Sequence, residues 1–411
     1  MRRGMDAGRR TWKDGGVRQR GVIPVWAAVA AGGLCALLPL LAAGRGGVWP
    51  PATPAQPPGV DLAMMLDYSR AWLATGNPFA ALNPYPPLAA ALFAPLAGLP
   101  FAVAYGIATA LTLAAFASLV ALLPLLAFPR ADRAAVGLAA AAGALSYGLW
   151  FELRWGQFDV LALAGAAWGL FLFHRGRSRG ARIAAYALFA AGIQLKLYPA
   201  IFVFLFARDA RAWKENLARW AALGAANGAL LFALGPRAFG DFLHSVRAQA
   251  EAPYVWAGNH SIQSFAEWAG RPEWTGALFA AFGICFAIAL GRAALRPGRA
   301  TFAGLALASA LGAMLLPGVS HDYKLTAFSP AFAAFVAAAE PGSARTRRGW
   351  AASGALCGLS FLFFWTLLSP AAKPEGMQNQ APFLLAACAL AALGPAPAPA
   401  ARAAARASPR E

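Results

Sequence analysis

Apolar residues come in long runs with short polar interruptions, and most of the runs have membrane length. They cover 22–43, 101–128, 134–151, 157–173, 217–235, 274–294, 300–317, 325–339, 350–369 and 381–395. A helix needs about 20 mainly apolar residues to cross a bilayer, so these ten stretches read as spans. The stretch 183–207 is different. Arg175, Arg177, Arg179 and Arg182 precede it, and Arg208, Arg211, Lys214 and Arg219 follow it. Both flanks belong on one side of a membrane. A stretch of this length cannot cross and return as two full helices at about 1.5 Å per residue. Its middle reads QLKLYP, with Lys196 and Pro199. The pattern predicts a pair of short half-helices meeting there, which is tolerated at membrane depth only inside protein or along a cavity. The expected fold is an all-α polytopic membrane protein with about ten full spans plus this broken pair.

Charge then orients the bundle. The chain has 411 residues, of which 59% are hydrophobic and 13% charged, with a net charge of +18. A soluble domain carries about 25% charged residues. Nucleic acid is not the expected partner of this excess, because Lys and Arg collect in cytoplasmic loops of membrane proteins. Of the 35 Lys and Arg residues, Arg45, Arg70, Arg154, Arg237, Arg247, Arg271, Lys324 and Lys373 fall outside and Lys196 falls within the membrane; the others fall on the cytoplasmic side. Both termini are then cytoplasmic. Residues 1–21 form a basic leading segment, 22–395 the membrane domain, and 396–411 a basic disordered tail. The outer face collects the large loop 44–100, the turn near Glu152, the loop 236–273, the turn 320–324 and 370–380. Cys35, Cys285, Cys357 and Cys388 lie in apolar runs without ligand spacing. They read as small core residues, so neither a disulfide nor zinc is expected.

The candidate chemistry gathers on that outer face. Asp61 opens an amphipathic segment, as a helix N-cap or as a general base at a cavity mouth. Asp67 lies six residues on, about 240° around a helix, so the two carboxylates do not share a face. Tyr85, in YPPL, aims the next helix or stacks on a sugar. In Trp155-Gly156-Gln157, the tryptophan is an interfacial anchor or Arg154 and Gln157 are donors facing a cavity. Lys196 either snorkels to an interface or meets a phosphate, since an ionisable group at membrane depth is functional by default. Tyr198 follows in the same motif. Asn259, His260 and Ser261 form one polar cluster, and His321 and Lys324 belong to another. Neither has metal-ligand spacing, and no motif for a nucleotide or nicotinamide is present.

The ordered set resembles glycosyltransferase family 87, which includes polyprenol-phosphate-mannose-dependent α-mannosyltransferases of bacterial envelope lipids. It comprises an Asp heading the first outer loop, YPPL, GQ opening a later span, KLYP at a membrane break, N-x-S in a late loop and a His-containing turn. The resemblance implies a type C membrane glycosyltransferase (GT-C) fold in the plasma membrane, with its active site on the outer face. It also implies a polyprenyl-phosphate-sugar donor, a lipid or glycan acceptor, and inversion at the anomeric carbon. Asp61 then falls on the family's acidic base position. Lys196, with His321, Lys324 or Arg154, would meet the donor phosphate. Asp67, Tyr85, Gln157, Tyr198, Asn259, His260 and Ser261 would line the substrate. No cofactor or metal is expected. A transporter or flippase of a lipid-linked sugar is the rival reading; it predicts paired broken segments in two related halves, and the chain offers one break.

Overall fold

The computed structural model describes residues 57–79, 83–144, 146–209, 212–251, 255, 258–296, 298–338 and 379–393. The expected segments 1–21, 22–43, 350–369 and 396–411 lie outside the described residues. Within them the chain is helical, with one isolated antiparallel bridge, Asn259 to His321. The α-helices are α1 Val60–Thr75, α2 Pro87–Ala97, α3 Phe101–Ala127, α4 Arg133–Ala144, α5 Tyr147–Trp155, α6 Asp159–Arg175 and α7 Arg179–Leu195. They continue with α8 Trp213–Leu230, α9 Pro236–Glu251, α10 Ile262–Trp268, α11 Trp274–Leu295, α12 Arg299–Leu315, α13 Phe328–Ala337 and α14 Ala381–Leu393. Two 3₁₀ segments, Tyr198–Leu205 and Asp322–Ala327, join them.

Among the described residues, α3 and α11 are long and apolar enough to cross a membrane alone; α4 with α5, a bent pair, makes a third candidate. The others are shorter than the expected full spans, for local reasons. Ser146 caps a new helix by accepting from Leu149 N at 3.3 Å, which divides the run 134–151 between α4 and α5. The run 325–339 starts as 3₁₀ and turns α-helical only at Phe328. The chain breaks at Lys196 and Leu197, as the pattern predicts, but the arms differ from two short half-helices. Ser178 caps α7 through Ala181 N at 3.1 Å, making the first arm 17 residues long, and the second arm is 3₁₀. α3 passes through a π turn, Ser118–Leu122, just before Pro124, a common accommodation of a lost backbone donor. Large apolar side chains on α3 and α11, among them Leu111 and Ile284, stay exposed. Such helix surfaces suit lipid rather than water.

Lipid gives helices no hydrophobic reason to associate, so close backbone packing must hold them. α6 and α7 show it. A Cβ at Gly165 would lie 2.7 Å from Leu188 O, one at Gly169 2.6 Å from Ala185 O, and one at Gly192 2.5 Å from Ala162 O. Only hydrogen fits at all three. The result is a tight antiparallel hairpin whose two ends differ. At one end, arginines satisfy helix C-termini: Arg175 donates to Leu126 O and Ala127 O, and Arg208 to Phe173 O at 2.7 Å. At the other end, Asp159 heads α6 and Lys196 follows the last residue of α7.

The N-terminus of α1 docks against this second end. Gly59 N donates to Arg154 O at 2.7 Å. Gly156 has φ 66°, and a Cβ there would meet Leu62 Cβ at 2.9 Å and Gly59 Cα at 3.0 Å. A side chain at Gly156 is therefore both strained and blocked. Leu62, Met65 and Leu66 then bury against Ala89, Ala90, Phe93 and Phe158. This packing fixes which face of α1 looks at the α5–α6 turn.

Candidate active site

Asp61, in the first turn of α1, lies against the α5–α6 turn. Gln157 Nε2 donates to Asp61 Oδ2, and the same amide's Oε1 accepts from Lys196 Nζ at 2.5 Å. Lys196 also donates to Asp159 Oδ2. One amide thus bridges a carboxylate on α1 and an ammonium at the end of α7. Both neighbours fix its orientation: the anion takes the NH2 end and the cation takes the oxygen. Gln157, Asp159 and Lys196 are buried, and Asp61 is half-buried.

Aromatic rings close around the ammonium. Lys196 Nζ lies 4.7 Å from the Phe158 ring, 4.7 Å from Tyr323 and 5.5 Å from Tyr85. These are cation–π distances. Tyr85 packs on Phe158 at 5.0 Å, and its hydroxyl reaches Gln157 Nε2 at 3.4 Å. Tyr198 OH donates to Asp159 O at 2.7 Å. Lys324 Nζ donates to Val319 O and lies 5.6 Å from the Tyr198 ring. Asp61, Tyr85, Gln157, Lys196, Tyr198 and Lys324 therefore meet in one cluster.

Electrostatics separates the roles. Burial pushes the Asp61 carboxyl above the usual carboxylate range, against the pull of the Gln157 N–H and the Lys196 charge. A raised carboxylate is a stronger base. Burial lowers Lys324 to about 7, so it titrates near neutrality. Burial also lowers His321 to about 4, the nearby Asp322 charge opposing it. At neutral pH His321 is then an uncharged imidazole, which can offer a phosphate one N–H but no positive charge.

Other expected site residues stand elsewhere. Asp67 is exposed and pairs with Arg70 at 2.7 Å, on a face of α1 away from Asp61. Arg154 lies 6.0 Å over the Trp150 ring. Asn259, His260 and Ser261 are fully buried and hold loops together. Asn259 Nδ2 donates to Gly318 O at 2.9 Å, and its Oδ1 accepts from Ser320 N at 2.8 Å. Gln380 N donates to His260 Nδ1 at 3.1 Å, which leaves Nε2 to carry the proton toward Asp322 Oδ1 at 2.9 Å. Ser261 caps α10 through Ser264 N. Placed this way, the three residues lock the turn that carries His321 and Lys324 rather than facing an opening.

The sequence reading gave no role to Asp159 or Glu152. Asp159 is 1% exposed and Glu152 0%. Glu152 Oε1 accepts from Val160 N at 2.9 Å, at the start of α6. The available signal was their position beside an apolar run, where a buried acid needs a reason.

The sequence profile described as glycosyltransferase family 87 matches residues 83–321, more than half of the chain. The chain belongs to glycosyltransferase family 87. No curated protein and no solved structure matches it. The glycosyltransferase is a membrane protein by its apolar helices. The family match contains Tyr85, Gln157, Lys196 and Tyr198 but stops short of Asp61 on one side and Lys324 on the other. Structure, not the match, ties both to the family's portion of the chain: Asp61 through Gln157, and Lys324 through the Tyr198 ring.

Proposed function

We propose that this glycosyltransferase moves mannose from a polyprenyl-phosphate donor to an envelope glycolipid or glycan acceptor at the outer face of the plasma membrane. The observation that carries the reading is the Gln157 bridge between Asp61 and Lys196. It sets a base and a cation one amide apart, so one group can serve the attacking hydroxyl and the other the leaving phosphate. Asp61 takes the acceptor proton as its oxygen attacks the anomeric carbon. The bond to the polyprenyl phosphate breaks from the opposite face, so the configuration inverts. The leaving group departs as an anion and needs no general acid; Lys196, with Lys324, steadies its charge. The donor class and the sugar come from the family resemblance, and the buried ammonium among aromatic rings suits a lipid phosphate.

The test is sugar transfer by purified protein in nanodiscs, from labelled polyprenyl-phosphate-mannose to an envelope-lipid fraction. Wild type is expected to transfer, and Asp61→Asn to lose at least about a hundredfold in rate. Transfer retained by the folded Asp61→Asn protein removes Asp61 from the role of base.

A further inference from the structure

Lys196 has three N–H donors. Two are engaged inside the protein, on Gln157 Oε1 and Asp159 Oδ2. One is left for anything else. A phosphate anion held by a single N–H, beside a buried carboxylate, would be held poorly, because the carboxylate both competes for the ammonium and repels the anion. The carboxylate itself is only half used. Asp159 Oδ1 is buried without a hydrogen-bond partner among the described residues, and so is Glu152 Oε2 nearby. A buried ion pair left this incomplete is a poor device for stability. It fits a group that is exchanged.

We propose that Asp159 is a positioning residue that holds Lys196 while the site lacks donor, yields it to the donor phosphate, and takes it back as polyprenyl phosphate leaves. This rests on the reading of Lys196 as the phosphate ligand. Gln157 keeps its contact with Asp61 through the exchange, so the base stays aimed while the ammonium moves. The motion is confined to the side chain: Lys196 is the extended C-cap of α7, its backbone N–H donates to Gly192 O at 3.1 Å, and the ammonium swings on its flexible four-carbon stem. Tyr198 OH, donating to the backbone carbonyl of Asp159 at 2.7 Å, fixes that residue's place at the head of α6. Asp159 thereby sets how readily the product departs. That matters because product release limits turnover in many enzymes.

The probe is polyprenyl monophosphate, the leaving group whatever the sugar, titrated against nanodisc-embedded protein. Asp159→Asn is expected to bind it at least about fivefold more tightly than wild type, to turn over more slowly, and to be inhibited by less added polyprenyl phosphate. A merely structural role would weaken binding and turnover together. Equal or weaker binding by folded Asp159→Asn protein overturns the inference and leaves the donor reading standing. No binding by wild type overturns the donor reading and this inference with it. Should Asp159→Asn fail to fold, wild type imaged with bound polyprenyl phosphate decides: Lys196 Nζ is expected off Asp159 and on the phosphate. Lys196 still paired with Asp159 in that structure would sink the exchange.

Discussion

At the scale of single residues, the roles proposed for Asp61 as base and Lys324 as phosphate ligand give the reaction a pH profile. Asp61 acts only as the carboxylate, and burial raises its value, so kcat/KM should fall as pH drops through a point above the usual carboxylate range. Lys324 helps only as the ammonium, and burial lowers it to about 7, so donor binding should weaken above that pH. Lys324→Met is expected to flatten the alkaline limb and raise the donor KM, measured as kcat/KM from pH 5 to pH 9. An alkaline limb unchanged in that variant would assign it to another group. Some of this was legible beforehand. Asp61, Gln157 and Lys196 each stood out as polar residues at the edge or centre of apolar runs. Their mutual contact did not, because the partners are 96 and 39 residues apart in sequence. The polar cluster at Asn259, His260 and Ser261 was equally visible, yet its atoms are engaged by a turn about 60 residues on and by Asn379 and Gln380. Sequence shows that a buried polar group needs a partner; it does not show which.

At the scale of elements, the α6–α7 hairpin sets the site. Its glycines leave no room for side chains, so Gly169→Leu should force the helices apart and separate Asp159 from Lys196. Overpacking of this kind costs about 1–3 kcal/mol. Gly228→Leu, on a face of α8 where a Cβ meets nothing within 4 Å, is the control. A lower thermal midpoint and lost transfer are expected for the first and little change for the second. Equal behaviour would mean the hairpin is looser than described. The break after α7 could be read from Lys and Pro within an apolar run. The length of α7 could not, because Ser178 sets it from outside that run. The division of 134–151 was missed for a different reason: Ser146 lies within that run, and a serine cap weighs little in hydropathy yet starts a new helix.

At the scale of the whole molecule, the hairpin has two chemically opposite ends, one with arginines on helix C-termini and one with the Asp61–Gln157–Lys196 cluster. Each arm has 17 residues, so the ends lie about 25 Å apart, close to the ~30 Å of a bilayer's hydrocarbon core. In the proposed orientation, which puts the arginine end in the cytoplasm, Thr75→Cys in a cysteine-free background should react with an impermeant maleimide in intact cells, and Arg177→Cys only after permeabilisation. The opposite pattern would invert the orientation. That separation has a consequence for fuel. In the proposed orientation, a sugar activated as a soluble nucleotide conjugate would stay one bilayer away from Asp61. On the proposed donor, the free energy for each glycosidic bond would be loaded onto the carrier lipid beforehand and carried across with it, and the enzyme's pace would depend on how fast the membrane delivers charged carriers.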